Sequence, residues 1–167
     1  KETYVISKHL DKFKGVARVP ITTYDNMEFV HDKWLFYNLC KTMKIKTPKT
    51  YKPDIEDLGK LKGKLDYPVI IKIRDGDGGE GVSQARSSKE LEQKYEQIRK
   101  EHREIPLIQE KIKGRDYCVT VLFNKGKLRA KMTYDNLRNF PTKTGPGVLS
   151  RTVREPEMES IAEKLCK

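Results

Sequence analysis

The chain has 167 residues, 36% hydrophobic and 35% charged, with 35 lysines and arginines against 24 aspartates and glutamates for a net charge of +11. This length buries one real core, as one compact domain or two small subdomains, and the short apolar clusters mark a heavily solvated folded protein, not a disordered one. No apolar run nears the roughly 20 residues that cross a bilayer, and no signal-peptide h-region follows the charged start.

The positive excess favours anionic partners such as nucleotides, phosphorylated metabolites or nucleic acid. A lysine-rich composition gives the same excess without any such partner, and the lysines are scattered with no long run of like charge. Cys40, Cys118 and Cys166 are odd in number and lack CxxC spacing, which fits reduced thiols in a cytoplasmic protein. His9, His31 and His102 lie far from one another and from the cysteines, so no zinc site is suggested. The start at Lys1 without Met is what an excised piece of a longer chain would show.

Residues 1–30 carry short apolar bits around Tyr4 and Val16 that read as the tail of a preceding domain or a linker. Leu35, Phe36, Leu39 and Met43 fall at helical spacing behind Asp32, and Thr47-Pro48 ends that helix before a short strand at Thr50-Tyr51. The run Pro68-Val69-Ile70-Ile71-Lys72-Ile73 is β-branched and predicts a strand buried on both faces. A turn over residues 75–81 leads to a short strand over 82–85, and Ser87 with Glu90 forms a capping box for a helix to about Glu101. Leu91, Tyr95 and Ile98 share one face of that helix, which therefore packs on a sheet.

Residues 107–112 predict a strand-like connector. Strands over 116–123 and 127–134 flank the hairpin signal Asn124-Lys125-Gly126. Glu155-Pro156 opens a final helix whose apolar face, with Met158, Ile161, Ala162 and Leu165, nothing later in the chain matches. That reads as truncation, and its acids Glu155, Glu157, Glu159 and Glu163 read as a solvated helical face.

Gly76, Gly78 and Gly81 give GxGxxG letter for letter, with Gly79 as a further glycine. A dinucleotide fold needs this loop to open a helix directly, whereas here a strand follows and the helix starts only after Ser87. A Walker A loop needs Lys-Ser or Lys-Thr after the last glycine, and this chain has Val82-Ser83. A protein kinase carries its phosphate lysine on the strand after the loop, whereas Lys72 precedes it. What remains is a strand with an inward lysine feeding a glycine hairpin. Glycines bring backbone N–H groups close to phosphate oxygens, and a lysine in an apolar strand is costly unless it meets an anion. A plain hairpin turn beside a surface lysine would show the same letters.

Four ordered stretches together resemble the ATP-grasp superfamily, on its carbamoyl-phosphate-synthase-like and carboxylate–amine ligase branches. They are Asp32-Lys33 with Thr47 to Tyr51; Tyr67 to Lys72 with the glycine loop; Leu107 to Asp116; and Tyr134 to Gly147 with Arg138, Pro141 and Gly145. The resemblance covers nearly the whole chain from about residue 25. It implies an α+β ATP-grasp fold of two subdomains clasping a nucleotide, with residues 31–111 the N-terminal subdomain and 112–167 the first part of a C-terminal one.

The resemblance also implies roles. Lys33 and Lys72 contact phosphates, and Gly76, Gly78, Gly79 and Gly81 shape the loop that closes over them. Glu110, Lys111 and Ile112 form the hinge strand whose backbone reads the adenine edge, and Asp116 meets the ribose, where glutamate is commoner in the family. Arg138 and Lys131 are the candidates facing an acyl phosphate or an acceptor. Each side chain also has a plain alternative: Lys33 as a helix-surface lysine, Glu110 and Asp116 as surface carboxylates, Arg138 and Lys131 as outward charges on a strand.

The cofactors implied are ATP and magnesium, with a small carboxylate and an amine as partners. The family's acidic and Asn-containing metal strand has no match after Glu155, so no metal ligand is assigned and the ligands are expected downstream. The reading is an ATP-binding fragment of a ligase that activates a carboxylate or bicarbonate as an acyl phosphate, inactive alone. The alternatives are a non-catalytic nucleotide-binding or regulatory module and, from charge alone, a nucleic-acid binder without any recognisable motif.

Overall fold

The computed structural model describes residues 2–140 and 145–166. The chain divides into two compact units, Lys1–Thr47 and Pro48–Lys167.

The first unit is helical: α1 (Glu2–Lys8), a short 3-10 turn over Leu10–Phe13, α2 (Tyr24–His31) and α3 (Lys33–Thr42). The helices α1 and α2, which the apolar spacing does not predict, meet through aromatic edges. Tyr4 stands edge-on to Tyr24 and to His31 at centroid distances of 5.6 and 5.2 Å, and Ser7 Oγ donates to Thr22 O at 2.8 Å. Such contacts leave no aliphatic stripe to read. Asp32 breaks α2 from α3 as an N-cap, accepting on Oδ1 from the N–H groups of Trp34 (2.8 Å) and Leu35 (3.1 Å).

The second unit begins with a four-stranded antiparallel sheet of β1 (Thr50–Tyr51), β2 (Val69–Lys72), β3 (Val82–Ala85) and β4 (Leu107–Glu110), in the order β1-β4-β2-β3. A short helix α4 (Ile55–Leu61) and the long helix α5 (Ser88–His102) complete this part. Ser87 Oγ accepts from the Glu90 N–H as expected of the cap, while the Glu90 carboxylate turns back to the Arg86 N–H.

Side chains alternate across β2, so Val69, Ile71 and Ile73 enter the core with Leu91, Tyr95, Ile98 and Ile108. The strand is not buried on both faces as its composition predicts. Ile70 and Lys72 on the second face are half-buried, because the helical cover lies on the face of Val69 and Ile71.

Beyond β4 runs a three-stranded antiparallel sheet of β5 (Tyr117–Asn124), β6 (Lys127–Asn139) and β7 (Gly147–Val153), in the order β5-β6-β7. The hairpin turn carries Lys125 and Gly126 at positive φ, 50° and 71°. The helix α6 (Pro156–Leu165) packs on β5 and β6. β7 is unpredicted because it is exposed almost throughout, and exposure on both faces removes the alternation that marks a strand.

Tyr95 is fully buried and its hydroxyl donates to the Pro53 carbonyl. Burial pushes its phenol up to about 12. A folded-state value above the unfolded one means that stability is intact below the ordinary tyrosine range and falls as pH rises through it toward 12. Denaturant unfolding from pH 9 upward should show this loss, and Tyr95→Phe should remove that part of it while costing about 1–2 kcal/mol at neutral pH.

Candidate functional site

The loop between β2 and β3 is built on one core side chain. A Cβ added at Gly76 would lie 2.5 Å from Ile73 Cδ1, and one at Gly81 would lie 2.7 Å from Ile73 Cγ2, with Ile73 itself 4% exposed. These two positions admit only glycine because the backbone lies directly on a buried side chain. Gly78 (φ 61°), Gly79 (φ 90°) and Gly81 (φ 61°) also take the left-handed region that side chains disfavour. The loop closes through the Ile73 N–H to Gly81 O (3.2 Å) and the Glu80 N–H to Asp77 O (3.1 Å).

Lys72 sits one residue before that anchor, on the opposite face, and pairs with Val82 across β3. Its Nζ donates to Gln109 Oε1 at 2.7 Å. Gln109 Nε2 donates in turn to Thr50 Oγ1 at 2.7 Å, and Thr50 Oγ1 to Pro48 O at 3.0 Å. Lys111 reaches the same sheet face from the end of β4, with Nζ 2.6 Å from Gln84 Oε1.

Glu110 braces the sheet edge: its N–H donates to Lys49 O (2.9 Å) and its carboxylate accepts from the Lys49 N–H (3.1 Å). The neighbouring Lys111 and Ile112 are exposed beyond the end of β4. Lys33 belongs to the other unit, in the first turn of α3 directly after the Asp32 cap.

A cleft of about 350 Å3 has the loop tip, Gly78 and Gly79, on one side. Asp116, Cys118, Tyr134 and Asn136 of the second sheet form the other side, with residues 145–147 at its rim. This lies within the usual size range of small-ligand sites. The hollow beside Glu110 and Lys49 is about 70 Å3, room for water and not for a nucleotide.

Asp116 is fixed in the cleft by Asn136, whose Nδ2 donates to its Oδ2 at 3.0 Å, while Asn136 Oδ1 accepts from Ser150 Oγ at 2.8 Å. A Cβ on Gly147 would collide with Asn136, so that glycine keeps the amide in place. The Cys118 thiol beside Tyr134 pushes the phenol above its ordinary range.

Lys131 is not brought to this cleft. It shares a face with Thr133 and Asp135, opposite Tyr134 and Asn136, and donates to Glu163 (2.8 Å) and Glu159 (2.9 Å) on α6. Glu163 first and Glu159 second raise the lysine, and the Lys131 ammonium holds Glu159 below the usual carboxylate range. Glu159 is therefore buried, at 8% exposure, and not part of a solvated helical face, because β6 presents a cation and the Thr133 hydroxyl beneath it. Asp135 on that face is 1% exposed and accepts from Arg151 (3.0 Å) and Arg115 (3.4 Å). Arg138 is exposed on β6 after a bulge, and Pro141 lies outside the described residues.

Among the described residues no three or more His, Cys, Asp or Glu side chains converge as a metal site would require. The side chains present therefore do not make a magnesium cage. No helix among the described residues is long and apolar enough to cross a membrane.

Sequence reading finds the glycines and Lys72 but misses Ile73 as their seat and Gln109, Thr50 and Asn136 as organisers. The available signal was parity: Thr50, Ile70 and Gln109 occupy directly paired positions on one sheet face.

Gly76→Ala should destabilise the protein by about 1–3 kcal/mol, the range for forcing atoms into a packed core. The additional substitution Ile73→Val, which removes Cδ1, should recover part of that loss relative to Ile73→Val alone. Chemical denaturation of the four proteins measures this as a double-mutant cycle.

No curated protein matches the sequence. Solved structures do match in fold. The biotin carboxylase domain of Hydrogenobacter thermophilus 2-oxoglutarate carboxylase, in complex with MgADP, ADP and bicarbonate, superposes with a TM-score of 0.69 at 19% identity, covering 96% of this chain and 38% of that one. Carboxyaminoimidazole ribonucleotide synthase from Aspergillus clavatus, complexed with ATP, gives 0.65 at 12% identity over 98% of this chain and 42% of that one. D-alanine–D-alanine ligase from Bacillus anthracis gives 0.57 at 17% identity over 86% and 49%. The chain thus spans less than half the length of each of these proteins. The sequence model of the ATP-grasp domain matches residues 30–167, and the chain, with this α+β fold, belongs to the ATP-grasp family.

Proposed function

We propose that this chain is the nucleotide-holding part of an ATP-dependent ligase that activates a carboxylate, or bicarbonate, as an acyl phosphate for attack by an amine. The observation that carries this reading is the glycine loop seated on Ile73 with Lys72 at its base and the cleft beneath its tip. Family membership supports it. So do neighbours of the same fold whose structures hold ATP, or MgADP with bicarbonate.

In this reading the loop N–H groups and the Lys72 ammonium meet phosphate oxygens, where charge-assisted bonds are strongest. Lys33 supplies a second cation. The backbone of residues 110–112 reads the adenine edge, and because the Glu110 N–H is committed to Lys49, that contact falls to the groups that follow it. Asp116, held by Asn136, receives the ribose hydroxyls, and Arg138 faces the acyl phosphate or acceptor. We assign Lys131 to fastening α6 on β6 rather than to chemistry.

ATP supplies the phosphoryl group: a carboxylate oxygen bonds to the γ-phosphorus, ADP leaves, and the amine then displaces phosphate at the carbonyl carbon. The chain's own residues bind and orient the nucleotide for that exchange. Work on soluble nucleotide with free thiols at Cys40, Cys118 and Cys166 fits a cytoplasmic setting.

Two measurements test the reading on the intact protein that carries this chain. In calorimetric titration, Lys72→Ala should weaken ADP binding by about 2 kcal/mol or more, as for a lost bond to a charged group in a desolvated cleft. Phosphate release from ATP should require both a carboxylate and an amine. Tight nucleotide binding without phosphate release for any such pair would make it a non-catalytic nucleotide module.

A further inference from the structure

We propose that Gln109 is a positioning residue for Lys72, holding its ammonium at a set point on the sheet face while leaving its charge intact for an anionic ligand. This rests on the nucleotide reading of Lys72 above.

Gln109 lies directly opposite Ile70 on β2 and opposite Thr50 on β1. Lys72 is two residues further along β2, a diagonal neighbour that long side chains can span. The three bonds form one directed chain: Lys72 Nζ to Gln109 Oε1 (2.7 Å), Gln109 Nε2 to Thr50 Oγ1 (2.7 Å), Thr50 Oγ1 to Pro48 O (3.0 Å). Its direction is dictated by chemistry. A lysine ammonium can only donate and a carbonyl can only accept, so the amide must present its oxygen to Lys72 and its nitrogen to Thr50. Thr50 is 5% exposed, which shields the far end of the chain from water and strengthens each bond in it.

The neutrality of the partner is the functional point. A lysine stem has four rotatable carbons and substantial rotamer entropy, and fixing it before the ligand arrives removes that cost from binding. A carboxylate would fix it equally well but would cancel the charge that attracts a phosphate. Lys131, on the other sheet, shows that alternative: it is held by Glu159 and Glu163 and serves packing. Lys72 has an amide where Lys131 has two acids. The Lys111–Gln84 bond on the same face is exposed, whereas the Gln109 amide is backed by the buried Thr50.

The test is titration of ADP and of adenosine into the intact protein carrying Gln109→Leu or Gln109→Glu, each alone and with Lys72→Met. Gln109→Leu should weaken ADP on the order of fivefold, as for one lost hydrogen bond, and adenosine less than about twofold. Gln109→Glu keeps the geometry and neutralises the charge, so it should weaken ADP at least as much, again sparing adenosine. With Lys72→Met present, both effects on ADP should vanish.

Equal losses for ADP and adenosine, or effects that persist with Lys72→Met, would reduce Gln109 to a structural residue and overturn the proposal. So would unchanged ADP affinity in Gln109→Leu when Lys72→Ala weakens it. If Lys72→Ala itself leaves ADP affinity unchanged, the nucleotide reading of the site falls and this proposal falls with it.

Discussion

The contact on which the site depends is that between the glycine loop and Ile73. A buried isoleucine occupies the space where side chains at positions 76 and 81 would stand, so the chain must turn there without side chains and with its N–H groups near the surface of the turn. The same residue is part of the core that α5 covers. Strand alternation does the rest: with Ile73 and Ile71 committed to the core, Lys72 is delivered to the other face. Core packing and ligand contact are thus two faces of one four-residue strand. An error of one residue in the register would bury the lysine and expose the isoleucines.

The second sheet repeats this division of labour with charge. One face of β6 carries Lys131, Thr133 and Asp135, each paired with groups on α6, Arg115 or Arg151, and the arrangement holds the helix and the strand edges together. Removing one partner of such a buried pair leaves an uncompensated charge, which is why its members are satisfied so fully. The other face carries Tyr134 and Asn136 toward the loop tip, with Asp116 and Ser150 bonded to Asn136. Ion pairs fasten one face and leave the opposite one open to the cleft.

What the sequence discloses follows from the kind of physics that leaves a local trace. The β2 strand, the α5 helix with its cap, the β5–β6 hairpin and the GxGxxG spacing are visible because propensity, periodicity and turn chemistry act over a few residues. α1 and α2 are hidden because aromatic edges and a Ser7–Thr22 bond hold them, not an apolar stripe. Glu159 looks like a solvated acid because its partner Lys131 is 28 residues away in sequence and adjacent only in the folded sheet. Gln109 is silent for the same reason: its meaning comes from Lys72 and Thr50 on two neighbouring strands. Residues that bear charge or bend the chain are legible, and residues that aim them become so once strands are paired.

The central claim is that the loop over residues 76–81 and the cleft beneath its tip receive the phosphates and ribose of an adenine nucleotide. Amide hydrogen exchange of the intact protein with and without saturating ADP tests it most directly, because it reads every backbone N–H at once. The account predicts slowed exchange at Gly76, Gly78, Gly79 and Gly81 and at the start of β5 beside Asp116, with the α6 face of the second sheet unchanged. Nucleotide-dependent protection confined to other parts of the chain, with the glycine loop exchanging as fast as before, would contradict it.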